Sequence, residues 1–147
     1  MSQTNVVEAL VGLMANASVF YQKLRNYHWN VRGDKFFELH VKFEELYTEW
    51  ALVVDELAER ILMLGGTPLG TLSAILAKAT LKEESGRPES RSMVQNLAED
   101  LDALIKQMEA VIEISEENKD RKTTNVLDGI GDQQRVHLWM LRAWLSK

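Results

Sequence analysis

Apolar residues recur at alternating intervals of four and three along most of the chain, which is the period of a helix with one buried face. In the first segment the stripe is Val6, Leu10, Leu13, Ala17, Phe20, Leu24 and Tyr27. It predicts a helix from about Asn5 to Asn30, with Asn5 as N-cap and Glu8 three residues on. Gly33 and Asp34 break the pattern and restart it. The second stripe runs through Phe36, Leu39, Phe43, Leu46, Trp50, Val53, Leu57, Ile61 and Leu64, and "GGTP" ends it. Gly65 or Gly66 supplies the left-handed cap there, with Pro68 beyond. "TLSAILAKA" after Thr71 reads as a short helix in a connection, and "EESGRPESRS" as a polar loop with Pro88 near the first turn of the next helix. That helix carries Val94, Leu97, Leu101, Leu104, Met108 and Val111 to about Asn118. "EENKDRKTT" reads as a loop, and a last helix runs to the end. The expectation is an all-α four-helix bundle, residues 1–147 as one domain, with a long connection between the second and third long helices.

Composition narrows the classes. A chain of 147 residues can bury a core unaided, and 46% apolar with 27% charged residues matches a soluble globular protein. The absence of cysteine excludes disulfides, thiolate metal sites and thiol nucleophiles, and suits a reducing cytoplasm. No basic residue precedes Lys23, so the start lacks the charged region of a signal peptide. No apolar run reaches the roughly 18 residues of a membrane span. A net charge of -5 without a Lys/Arg tract argues against general binding to a phosphate backbone.

The chemistry concentrates on the second helix. At 100° per residue with His40 at zero, His40, Glu44, Asp55 and Glu59 fall at about 0°, 40°, 60° and 100°, while the core stripe clusters near -100°. Acids on a helix usually mark a solvated face. Here Phe37, Val41, Ala51, Ala58 and Leu62 share the arc with them, which points to an interface instead. Glu44 and Asp55 lie roughly 16 Å apart along the axis, too far for ligand bonds near 2 Å to one ion. One helix therefore offers two half-sites, His40/Glu44 and Asp55/Glu59.

An antiparallel pairing of this helix with its own copy would join the halves. A two-fold axis between Thr48 and Ala51 sets Glu44 opposite Asp55 of the second copy, and His40 opposite Glu59. If the first two helices form a hairpin about Gly33, His28 packs beside residues 39 and 40 and adds a second imidazole. Taken singly, each histidine reads more readily as a packed residue than as a ligand; the combination reverses that order. Two imidazoles with carboxylates and no sulfur suit Fe(II), Mn(II) or Zn(II).

These residues also carry a resemblance. "NYHWNVRGDKFFELHVKFEELYTEWALVVDELAERILMLGGTPLGT" contains H-W-N-x-x-G-x-x-F-x-x-L-H, then D-E-x-A-E-R, then L-G-G-x-P. It closely resembles the Dps family, the small ferritin-like "DNA-binding proteins from starved cells". The motifs cover Asn26 to Thr71, and helix count, length and the C-terminal "HLWMLRAWLSK" agree over nearly the whole chain.

The resemblance implies a hollow tetrahedral dodecamer, a ferroxidase that oxidises Fe(II) at sites between subunits and stores ferric mineral inside. Its ligands carry over to His28, His40 and Glu44 of one chain and Asp55 and Glu59 of its two-fold mate. Many members have Asp where Glu44 stands, and glutamate reaches further. The ExxH motifs of larger ferritins do not occur at the corresponding helices. Two Fe(II) ions could give both electrons to one peroxide, limiting oxidative damage. Trp29 reads equally as an electron donor and as a bulky packing residue. For the acidic three-fold pores of the family, Glu117, Asp120 and Asp128 are the candidates, with Arg121 and Lys122 among them. His137, between apolar neighbours, reads as structural. Gly129 and Gly131 weaken a helix interior, which close approach of subunits would explain. The alternative function is DNA compaction; members that bind DNA carry Lys/Arg-rich tails, none starts this chain, and weak or absent DNA binding is expected.

Overall fold

The computed structural model describes the backbone of residues 2–147 and side chains from Thr4 onward. Its helices are α1 (Ser2–Asn30), α2 (Phe36–Met63), α3 (Leu72–Lys78), α4 (Ser90–Glu117) and α5 (Arg121–Leu145). α1 packs along α2 and α4, α5 along α4, and short α3 against α1. The architecture is the all-α bundle that the periodicity predicts, with α3 in the long connection. Every stripe residue predicted for α1 and α4 is buried, as are those of α2 from Leu39 to Ile61.

The turns explain the helix ends. Gly65 has φ +85°, its N–H bonds the Leu62 carbonyl at 3.0 Å, and the Gly66 N–H bonds Ile61 at 2.9 Å. This pair of bonds closes α2 with a Schellman cap. Gly66 is needed for a different reason: a Cβ there would lie 2.6 Å from Val7 Cγ1 of α1. Thr71 caps α3, its hydroxyl accepting from the Ala74 N–H at 3.1 Å.

Polar side chains hold the long connection on the bundle. Asn16 accepts from the Thr80 and Leu81 N–H groups at 2.8 and 2.9 Å. Buried Lys23 pairs with Asp100 at 2.8 Å and donates to the Lys82 carbonyl at 2.8 Å. Tyr27 donates to Glu84 at 2.6 Å. Burial pushes the Asp100 carboxyl up, against the pull of Lys23.

Two boundaries differ from expectation. α1 begins at Ser2, so Asn5 stands inside the helix and is not its cap; no residue of "SQT" breaks a helix. The predicted loop over "EENKDRKTT" shrinks to Asn118–Asp120, because Asp120 serves both neighbours. Its N–H reaches the Ser115 carbonyl at 2.8 Å to close α4, with Lys119 left-handed at φ 57°. Its carboxylate accepts from the Thr123 N–H at 3.1 Å and so caps α5. Thr123 and Thr124 are therefore helical.

Candidate metal centre

The α1–α2 hairpin brings the first two histidines together. Gly33, at φ +101°, takes the left-handed conformation that reverses the chain, and its carbonyl accepts from the Phe36 N–H at 3.1 Å. This turn sets the last turn of α1 beside the second turn of α2. His28 Nδ1 then lies 2.7 Å from the His40 carbonyl, and His40 Nδ1 lies 2.7 Å from the His28 carbonyl. A carbonyl only accepts, so each Nδ1 carries the proton and each Nε2 keeps its lone pair. A carbonyl that accepts from Nδ1 fixes the tautomer and the ring direction that a metal-binding imidazole needs.

The two rings stack, with centroids 3.8 Å apart and planes within 13°. An imidazole binds an ion in its own ring plane. An ion at one Nε2 would lie about 3.5 Å, a van der Waals spacing, out of the plane of the other ring. One ion could not satisfy both lone pairs, so the arrangement would suit two ions rather than one. The column continues at both ends. Phe36 stacks on His40 at 4.8 Å and 18°, and Tyr47 meets His28 edge-on at 5.2 Å and 78°.

Glu44 projects from the next turn of α2. Its Oε1 lies 3.8 Å from His28 Nε2, too far for a hydrogen bond. Two ligand bonds near 2.1 Å to a shared ion put nitrogen and oxygen about 3–4 Å apart, so the spacing suits an ion between them. Asp55 and Glu59 are exposed farther along the same helix and are not brought to the histidines. Among the described residues, no group of three or more His, Asp or Glu side chains gathers within the chain. Around these carboxylates the predicted interface arc is uncovered: Phe37 is 84% exposed, Val41 and Leu62 more than half exposed, and Ala51 exposed. Only Ala58 of that arc is half-buried. An apolar stripe of this extent is unusual on a free surface.

His137 presents the opposite ring. It is buried on α5, with Nε2 2.8 Å from Glu49 Oε2 and Nδ1 3.3 Å from Lys42 Nζ. The ammonium donates to Nδ1, so Nε2 carries the proton and gives it to the carboxylate. Gln134 donates to the other oxygen of Glu49 at 2.7 Å and accepts from the Trp50 indole at 2.9 Å. All nitrogens of His137 are used.

Trp29 is 56% exposed, so it packs into no core of its own chain, and the Arg25 guanidinium lies 5.0 Å from its ring centre. Glu117 and Asp128 are exposed. The Asp120 carboxylate is occupied, by Thr123 Oγ1 at 2.5 Å and Arg60 Nη2 at 3.2 Å besides its cap. Gly129 has open space where a Cβ would stand, while a Cβ on Gly131 would meet Arg135 Nη1 at 3.1 Å. Of the two aromatic neighbours of the site, Phe36 is the F of H-W-N-x-x-G-x-x-F-x-x-L-H, and Tyr47 is the one that the motifs did not single out. Phe36 precedes His40 by one helical turn, whereas the place of Tyr47 depends on the register of the hairpin.

The chain matches the ferritin-like domain over residues 7–147. A "DNA protection during starvation protein" of Brevibacillus brevis is 43% identical over 133 residues, covering 90% of this chain and 89% of that one. Dps from Staphylococcus aureus superposes with a TM-score of 0.95 at 42% identity, covering 98% of this chain and 97% of that one. A Dps protein from Vibrio cholerae O1, described as one of the ferritin-like diiron-carboxylate proteins, gives 0.96 at 40% identity, covering 99% and 91%.

Proposed function

The chain belongs to the Dps family of ferritin-like proteins, and from that membership we propose that it is a ferroxidase: it oxidises Fe(II) with hydrogen peroxide at sites shared by two-fold related copies. The ferric product collects as mineral inside a hollow dodecamer, which removes both reactants of hydroxyl-radical chemistry and limits oxidative damage. The observation that supports this reading is the stacked, reciprocally bonded pair His28–His40, whose Nε2 lone pairs would suit two ions. Each half-site holds His28, His40 and Glu44, and the second copy supplies Asp55 and Glu59.

The exposed apolar arc of α2 is the surface on which the copies meet. With residue i facing residue 99-i, Phe37 meets Leu62 and Val41 meets Ala58, so apolar groups flank the carboxylates. Two ions suit the electron count. Each Fe(II) gives one electron, the O–O bond of one peroxide breaks, and both oxygens leave at the level of water or ferric oxide. No one-electron product of peroxide is formed. Zn(II) or Mn(II) would occupy the same nitrogen and oxygen ligands as substitutes. Exposed Glu117 and Asp128 are proposed to line the entry pores, with Asp120 between them held as the α5 cap.

Anaerobic Fe(II) titration followed by peroxide tests the reading. Two Fe(II) bound per site and one peroxide consumed per two Fe(II) are expected. One ion per site, or oxidation no faster than in buffer, would overturn it. DNA binding is proposed to be weak, because the chain carries a net charge of -5. A gel shift at low salt should show none at neutral pH; tight, salt-sensitive binding would refute this.

A further inference from the structure

We propose that Phe36 is a positioning residue of the metal site, acting through His40 on one of its two ions. The inference rests on the two-ion reading above and goes beyond it, because Phe36 touches no metal. Its ring lies face to face with His40, 4.8 Å between centroids and 18° between planes. His40 is held on its other face by His28, so the imidazole sits between two flat rings. The arrangement is uneven. His28 is buried and is met edge-on by Tyr47, whereas His40 is only half-buried and has Phe36 as the second wall of its slot.

The stacking has two consequences. The first is geometric. The bond from His40 Nδ1 to the His28 carbonyl fixes one atom of the ring, and a single bond leaves the ring free to tilt about it. Phe36 removes that freedom, so the Nε2 lone pair keeps its direction. The second is electronic. A metal ion on Nε2 withdraws charge from the imidazole and makes it behave as a cation over the negative face of the phenyl ring. Phe36 therefore favours the metal-loaded form of His40 over the free form. The placement follows from the turn, since Gly33 starts α2 at Phe36 and so sets that ring one helical turn before His40.

Co(II) titration of the assembled protein, followed by ligand-field absorption, separates the two ions without any turnover. Phe36→Leu keeps the apolar bulk and removes the flat face; it should weaken one Co(II) about tenfold and leave the other unchanged. Phe36→Tyr should restore both. Replacing Phe36 with pentafluorophenylalanine keeps the shape and inverts the ring quadrupole, and should weaken the same ion about fivefold. In a His40→Ala background neither change should have any effect on the remaining ion. The proposal fails if the ions weaken in parallel with a falling thermal midpoint, if neither weakens, or if the effect persists without His40. If Phe36→Leu does not assemble, the fluorinated protein decides between these outcomes. Should the unmodified protein bind fewer than two Co(II) per His28–His40 pair, the two-ion reading fails first and this proposal with it.

Discussion

His137 and the His28–His40 pair occupy similar positions between helices, and burial does not tell them apart: His28 and His137 are both buried. The difference lies in which ring nitrogen keeps a lone pair. In the pair, each Nδ1 donates to a backbone carbonyl and each Nε2 is left as an acceptor. At His137, Lys42 approaches Nδ1 and Glu49 takes the Nε2 proton. A main-chain acceptor therefore leaves an imidazole a lone pair to offer an ion, whereas a lysine and a carboxylate together use up the ring. The carboxylates follow suit. Glu44, Asp55 and Glu59 are exposed, while Glu49 is tied to His137 and Gln134.

The largest expected effect breaks this contrast at its functional end. His28→Ala should slow Fe(II) oxidation by more than about a hundredfold, since even outer-shell partners of a metal cost 10–100-fold in affinity or activity. The same variant removes the ring stacked on His40 but keeps the His28 carbonyl that accepts from its Nδ1. His137→Ala should leave oxidation nearly unchanged and instead lower stability by about 2–4 kcal/mol, from a buried cavity and the loss of one of the two hydrogen bonds to Glu49. Stopped-flow absorbance and thermal unfolding check the two. A His137→Ala protein that stays stable and loses oxidation would overturn the assignment of roles.

Much of this contrast was legible in the sequence. The stripes of α1, α2 and α4 give the bundle, and Gly33 gives the hairpin that sets residue 28 beside residue 40. The 16 Å between Glu44 and Asp55 shows that one helix cannot close the site. Three features were out of reach. The start at Ser2 was hidden because an asparagine at position 5 tolerates a helix as well as it caps one. Asp120 was read as a loop acid because its capping role depends on Lys119 entering the left-handed region, which costs a residue with a Cβ. The tautomers of the histidines depend on side-chain rotamers and on the facing carbonyl, and no spacing encodes those.

The smallest effect comes from the third polar cluster, Tyr27 with Glu84, which binds the connection rather than a metal. The Tyr27 hydroxyl is pushed above its ordinary 10.0, first by burial and then by donating to Glu84. A raised value means that the folded chain keeps a proton which the unfolded chain gives up near pH 10. That contribution is whole below about pH 10 and fades as pH rises beyond it. Glu84 has the opposite sign. The Tyr27 hydroxyl and the Gly86 N–H hold it below its ordinary 4.5, so its contribution is present above that pH and lost as pH falls. Tyr27→Phe should flatten stability against pH at both ends and leave metal binding alone. Unfolding midpoints across the pH range measure this; unchanged slopes would contradict it.

Each site is proposed to take its two histidines from one copy and two of its carboxylates from another. Co-assembly measures that directly. A His28→Ala/His40→Ala chain and an Asp55→Ala/Glu59→Ala chain, each inactive alone, are unfolded, mixed in equal amounts and reassembled. In every mixed two-fold pair one site then receives all its ligands and the other receives none of these four. Random pairing should restore about a quarter of the wild-type Fe(II) oxidation sites. No recovery above the separate variants, in shells shown to contain both chains, would place the whole site within one chain and contradict the account.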